Sequence, residues 1–382
     1  MNRRAFLRLS SIFLFSLVAA CTNLPQATGT PPVRLPTQLP AATPLPASQT
    51  PRPPTDTPLA QPTATLEPSS TATEETPPIE PANVDQLALD SQIAVGAVLD
   101  FAWLPDNQGI VLVNSTGAMT TNQQSFAPSR FMRARTLTQF SLAPDGEHYS
   151  AVEANTNVIL GELSGVITQT LATLPGAVTS LAFSPDSTRL AVAASDANEV
   201  IVWDTRGGVI VGNYTLPFWL SDLAISQDNH LLAGVDLPQF SLHFLDPTSG
   251  EIQRSLQWTD SSSPALYGAI LSPDWTQLAW YTRGTIQLMD TASGGPGPSL
   301  EHEDFITTIA WSPDGSLIAS AAAATVDQEF LPAATLWDPF TGEKLNVLPL
   351  KTSIAQLKFS PDGTQLGILT TDGGFQVWNI QP

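Results

Sequence analysis

The apolar positions of this chain fall into short runs, not long stripes. Residues 179–184 alternate polar and apolar, residues 190–194 are continuously apolar, and residues 200–203 form a β-branched run closed by Asp204. Alternation with a period of two over so few residues is the mark of a strand, whereas a helix repeats every 3.6. Pro185-Asp186 separates the first two runs. Proline presets φ for the first turn position, and an Asp side chain bonds its own backbone, so the pair predicts a turn. A polar loop at residues 196–199 separates the second run from the third, and Gly207-Gly208 follows it. Residues 177–208 therefore read as three short strands joined by tight turns.

The unit recurs. The turn aspartate stands at Asp106, Asp145, Asp186, Asp228, Asp274, Asp314 and Asp362, at intervals of 39, 41, 42, 46, 40 and 48 residues. Each is preceded by an apolar strand, ending in Trp103, Phe140, Phe183, Ile225, Leu271, Trp311 or Phe359, and followed by a second apolar run. The third run closes at Trp203-Asp204, Leu245-Asp246, Met289-Asp290, Trp337-Asp338 and Trp378-Asn379. It is blurred at residues 158–161 and nearly lost at 117–119. Self-similarity at this period marks a propeller array. Apolar strand, Ser-Pro-Asp turn, apolar strand and Ile-Val-Trp-Asp before a glycine turn resemble the WD40 repeat.

That resemblance implies an all-β fold: a seven-bladed β-propeller of four-stranded antiparallel blades over residues 84–382. The sequence stops almost directly after Trp378, which leaves the last blade without an outer strand. Residues 86–93 precede the first blade's inner strand at 98–104 and are expected to supply it. Closure pairs backbone groups that would otherwise template aggregation. WD40 blades often carry a Gly-His dipeptide whose His bonds an Asp, a Ser or Thr, and the Trp. This chain has no Gly-His, and its four His are His148, His230, His243 and His302. The buried network is therefore expected to be absent or rebuilt.

Before the repeats the pattern changes. Arg3, Arg4 and Arg8 precede an apolar run at residues 9–20, of signal-peptide length and too short to span a bilayer well. Residues 1–20 are read as a lipoprotein signal peptide. Leu17-Val18-Ala19-Ala20-Cys21 resembles a bacterial lipobox, which implies lipidation of Cys21 and a membrane anchor, and the n-region leaves general and twin-arginine export open. Residues 21–83 are rich in Pro, Thr and Ala and are expected to form a disordered linker. The expected location is the bacterial cell envelope, on the outer side of the cytoplasmic membrane or on the outer membrane.

Charge narrows the partners. The chain carries a formal charge of −20, which argues against nucleic acid, since that selects basic surfaces. One Cys excludes an internal disulfide framework. No metal-ligand spacing, nucleophile elbow or phosphate loop stands out, so no catalytic residue, metal or cofactor is assigned. His302 lies among Glu301, Glu303 and Asp304 and reads as a solvated acidic loop.

The resemblance places the inter-blade loops and the loops between second and third strands on one face. Phe218, Trp219, Trp258, Glu329 and Phe330 fall there and are the candidate partner-binding residues, with burial between blades as the alternative for each aromatic. Arg130, Arg133 and Arg135 form the only basic cluster of this acidic domain and a candidate docking edge. The expected function is a monomeric, non-catalytic scaffold that binds a protein or peptide. Recognition of a small ligand or glycan in the central channel, or a loop-built enzyme, are the alternatives.

Overall fold

The computed structural model describes residues 76–381, apart from residues 123–128, 134–135, 166, 259–265 and 327. The signal peptide, Cys21, Arg135 and nearly all of the linker lie outside the described residues. The described strands form seven four-stranded antiparallel sheets. Each sheet's first strand lies at the channel: Asp100–Trp103, Leu137–Leu142, Val178–Phe183, Asp222–Ile225, Gly268–Leu271, Thr308–Trp311 and Ile354–Phe359 in blades 1 to 7. In blades 1 to 6 the four strands follow in chain order. The weak patterns of blades 1 and 2 still yield regular third strands, Gly117–Asn122 and Asn157–Glu162.

Blade 7 closes the ring as expected. Its outer strand is Leu87–Ala94, antiparallel to Gly374–Ile380, with Leu87 opposite Ile380 and Ala94 opposite Gly374. Backbone groups of the chain's last strand are thereby paired by an early one.

The turn aspartates do the same job seven times. Each Oδ1 accepts the backbone N–H two residues on, at 2.8–3.1 Å. In blades 3 to 7 a serine two residues earlier donates to the same carboxylate at 2.6–2.7 Å. That hydroxyl in turn accepts an N–H from the start of the second strand. The residue after each Asp is left-handed: Asn107, Gly146, Ser187, Asn229, Trp275, Gly315 and Gly363 have φ between 57° and 73°. A turn that ends in this conformation suits the twist of the strands it joins. Burial pushes the Asp186 carboxyl up, but bonds from Ser184, Thr188 and Asn229 outweigh it and hold the group at about 2.

Packing lies between the blades. Seven apolar clusters fill the seven seams, for instance Val152, Val192 and Trp203 between blades 2 and 3, and Phe101, Trp103 and Phe375 between blades 7 and 1. Burying one large apolar side chain contributes about 1.5–3 kcal/mol, so each blade is stabilised chiefly by its neighbours.

The expected linker ends sooner than residue 83. Ile79 is buried under blades 6 and 7, and its N–H donates to the Gly363 oxygen at 2.9 Å. Asn83 locks this lead-in by accepting from the Glu80 N–H and donating to the Pro78 oxygen. A lone isoleucine among prolines is a weak signal, and its burial shows that residues 79–83 belong to the fold.

Antiparallel order fixes which connections share an end. Turns between first and second strands, and between third and fourth, lie at one end, here the turn end. Turns between second and third strands and the inter-blade loops lie at the other, the loop end.

Candidate functional site

The channel wall was the first place to seek a site. The residue six before each turn aspartate is Asp100, Gln139, Ser180, Asp222, Gly268, Thr308 or Gln356; it begins the first strand in blades 1, 4, 5 and 6 and is its third residue in blades 2, 3 and 7. Several of these line a cavity of about 340 Å³ at the loop end, with Thr138 and Thr179. Most of its polar groups are already engaged. Gln139 donates to the Val178 oxygen at 2.7 Å and Thr179 to the Leu220 oxygen at 2.6 Å. Ser180 donates to Asp222 at 3.1 Å, and Thr307 to the Ile354 oxygen at 3.3 Å. Lys358 reaches Asp100 and the Phe101 oxygen, both at 2.7 Å, while Trp103 Nε1 donates to the Lys358 oxygen at 3.0 Å. These bonds stitch blade 2 to 3, 3 to 4, 6 to 7 and 7 to 1. Asp222 is half-buried; burial pushes its carboxyl up to about 6, against bonds from Leu223 and Ser180.

His302 is a correction. It is not a solvated loop residue. Its Nε2 lies 3.0 Å from Ser320 Oγ, which accepts the Trp337 Nε1–H at 2.8 Å. Burial, helped by Lys344, drives the imidazole down to about 4 against the opposing pull of Glu301 and Glu303, so near neutral pH it is uncharged. Blade 6 thus rebuilds the His–Ser–Trp network from Glu301-His302, without the glycine. The missing Gly-His dipeptide hid it from the sequence reading.

The loop end carries the irregular features. In blade 6 the second and third strands, Ile318–Val326 and Glu329–Trp337, run nine residues each, against five to seven in the other blades. What reads in sequence as a loop insertion is a paired extension, with Thr325 opposite Phe330 and Val326 opposite Glu329. Backbone pairing explains why: the added residues continue the alternation of both strands. Both edges of this arm are partly blocked. Glu303 accepts the Thr325 N–H at 3.1 Å and its hydroxyl at 2.6 Å, and Pro332 lacks an N–H. Phe330 is 56% exposed at the tip, beside the exposed Glu329.

The other sequence candidates divide. Trp258 is a correction: it is only 4% exposed and stacks on Trp280 at 5.3 Å in the seam of blades 4 and 5, because apolar loop residues fold inward wherever a seam has room. Phe218 is half-buried and stacks on His243 at 4.1 Å, so it packs more than it presents. Its neighbour Trp219 is half-buried as well. Arg130 and Arg133 lie on Ser129–Arg133, the outer strand of blade 1, with Arg133 exposed. The Arg130 side chain and all of Arg135 lie outside the described residues. Sequence reasoning missed Tyr267 and Phe305, which meet edge to face at 4.7 Å on adjacent inter-blade loops, with Tyr267 43% exposed. A search of every inter-blade loop for aromatics would have found them.

Among the described residues no three His, Cys, Asp or Glu side chains are grouped to hold a metal ion. The geometry offers a stitched channel and an uneven loop end with exposed aromatics.

The comparisons agree with this architecture. Residues 168–204 and 296–327 match the family model described as WD domain, G-beta repeat. The chain is 26% identical over 111 residues to the periodic tryptophan protein 2 homolog of Schizosaccharomyces pombe, covering 29% of this chain and 11% of that protein. It is 35% identical over 80 residues to the small ribosomal subunit protein RACK1z of Arabidopsis thaliana, covering 21% of this chain and 22% of that protein. The matches thus span less than a quarter of either relative's length. Repeat, turn chemistry, blade order and ring closure all lead to one conclusion: this chain is a WD40-repeat β-propeller.

Proposed function

We propose that this propeller is a non-catalytic scaffold that binds a protein partner through its loop end. The observation that carries the reading is the extended arm of blade 6, which holds Phe330 and Glu329 in solvent. Aromatic side chains ringed by polar ones dominate protein interfaces, and Tyr267 and Phe305 add a second aromatic site at the same end. The engaged state of the channel's polar groups supports a scaffold over small-ligand or glycan recognition, because an entering ligand would have to break bonds that hold the ring. The N-terminal sequence supports a lipid anchor at Cys21 and a place at the bacterial envelope, with tethering raising the effective concentration of the binding face.

A photo-crosslinking residue introduced at Phe330 tests the face, with one at Ile252 on the rim as the control. Crosslinks to a protein at Phe330 alone are expected; equal or absent crosslinking at both positions rejects the loop end. Incorporation of labelled palmitate, lost in Cys21→Ser, tests the anchor, and unchanged labelling rejects it.

A further inference from the structure

The hydrogen bonds of the blade 6 arm fix which of its residues share a face. Thr307 donates its N–H to the Ala321 oxygen, and Glu303 takes the Thr325 N–H. At 321 and 325 the backbone groups therefore point away from the third strand. Thr325 and Phe330, directly opposite each other, are thus a non-hydrogen-bonded pair, in which Cα atoms stand only about 4.5 Å apart and side chains meet on one face. The Thr325 hydroxyl donates to the Glu303 carboxylate at 2.6 Å. Ring, hydroxyl and carboxylate follow one another across this face, with the exposed Phe330 at one edge and the exposed Glu303 at the other. The bond from the Thr325 hydroxyl, the largest influence, holds the Glu303 carboxyl below its usual range, so it is charged at neutral pH. Exposed Glu329 follows at the tip.

The carboxylates of this corner are unmatched. Glu301, Glu303 and Glu329 are exposed and Asp304 is half-buried. Arg283, whose oxygen accepts the Ile306 N–H, is the one permanent cation among the described residues of 282–284, 301–307 and 322–332. Among the described residues no ion pair joins it to any of the four. Farther round the ring, exposed Lys351 and Asp372 offset each other. The surplus of negative charge thus lies beside exposed Phe330 and Tyr267.

We propose that this corner receives a basic segment of the partner protein, in which Lys or Arg side chains are interleaved with apolar ones. The inference rests on the scaffold reading and names the chemistry of its partner. A cation laid on Phe330 meets the negative face of the ring with the Glu303 carboxylate one residue away. Apolar side chains between the cations cover Tyr267 and the rest of the arm. An acidic segment would face like charge, and a neutral apolar one would strip water from the carboxylates and return nothing. A lone surface ion pair contributes little, but several facing one segment steer its approach and fix its register, and the chain's charge of −20 attracts the same partner from afar.

The test titrates the full chain with a fluorescently labelled peptide of repeated Lys-Leu-Ser, with repeated Glu-Leu-Ser as the control. Saturable binding of the lysine peptide, about tenfold or more above the control, is expected. Glu329→Lys lowers that affinity about fivefold or more, by placing like charges together. Glu251→Lys makes the same change of charge on an exposed residue of the turn end and lowers it less than about twofold, because salt screens distant charges. Glu303→Gln keeps an acceptor for Thr325, removes the charge and lowers affinity about threefold at an unchanged melting temperature. Equal losses in Glu329→Lys and Glu251→Lys overturn the proposal, since binding would then follow net charge alone. Equal binding of the two peptides overturns it as well. Competition separates it from the scaffold reading. A protein crosslinked at Phe330 and undisturbed by excess lysine peptide keeps the scaffold and rejects the basic partner. Peptide binding at this corner with no protein crosslinked at Phe330 rejects the scaffold, and its partner with it.

Discussion

Blades 2, 3 and 4, and again blades 6, 7 and 1, are stitched at their first strands by side-chain hydrogen bonds. Blades 4, 5 and 6 are held otherwise. Among the described residues no side-chain bond joins their first strands. Trp258 on Trp280, and Ile306, Ile309 and Trp311 against blade 5, fill those seams with apolar contact. Aromatics gather at the loop end of the second sector: exposed Tyr267 meets half-buried Phe305 beside blade 5, and the arm with exposed Phe330 rises from blade 6. Hydrogen bonds fix a geometry narrowly, whereas apolar packing tolerates change of shape and volume. Side-chain hydrogen bonds thus pin one part of the ring, and apolar packing holds the other.

The largest expected effect concerns closure, which both sectors need. Deleting residues 84–95 removes the outer strand of blade 7 and should abolish cooperative unfolding in urea. Removing residues 1–75 should leave the urea midpoint unchanged. Equal midpoints for the two truncations would show that the ring does not depend on this strand. Next comes the stitching itself. Lys358→Met breaks three contacts across the seam of blades 7 and 1 and should destabilise by about 1.5–3 kcal/mol, the range for bonds to a charged group. Thr308→Val, at the register of Lys358's partner Asp100 but in the unstitched sector, should stay within about 0.5 kcal/mol. Similar losses for both would erase the distinction between the sectors.

Acid should then act on the two sectors in opposite directions. His302 titrates at about 4 in the fold against 6.5 as a free side chain. The unfolded chain takes that proton first, so stability present above pH 6.5 is lost as pH falls towards 4. Asp222 titrates at about 6 against 3.8. Its ionisation opposes folding at neutral pH, and that penalty fades as pH falls from 6 to 3.8. Asp222→Asn should therefore raise stability at pH 7 and steepen its loss on acidification, while His302→Gln should flatten the loss. Urea midpoints at pH 7, 6 and 5 measure both, and slopes like the parent's in the two variants would sink the assignment. The smallest effect on the fold belongs to the arm. Phe330→Ala should change stability by less than about 0.5 kcal/mol while lowering the yield of partner crosslinked through a photo-reactive residue at the neighbouring Glu329, and a larger loss of stability would make Phe330 a packing residue.

The architecture was legible because its chemistry repeats. Seven aspartates at near-equal intervals each cap a backbone N–H, and no tertiary information is needed to see that. Ring closure followed from counting strands. What escaped were features that depend on a neighbouring blade. His302 looked solvated because its partners, Ser320 and Trp337, lie 18 and 35 residues away on the second and third strands. Trp258 looked exposed because a loop aromatic carries no sign of the seam below it. The arm was taken for a loop because its strands have no third partner to give them a longer pattern. The stitches were invisible for the same reason: Gln139 and Thr179 bond to backbone on the next blade, and carbonyls have no sequence.

The Ile79 contact has a mechanical meaning. A pull on the N-terminal side of the chain would, without it, bear directly on the first pair of the closing strand, Leu87 with Ile380, and peel the ladder one rung at a time. Instead the load meets Ile79 on the blade 7 turn and Asn346 of blade 6, whose amide donates to the Val84 oxygen. Tension is shared between two blades before it reaches the seam where the ring was joined, much as a clamp ahead of a splice keeps strain from the splice.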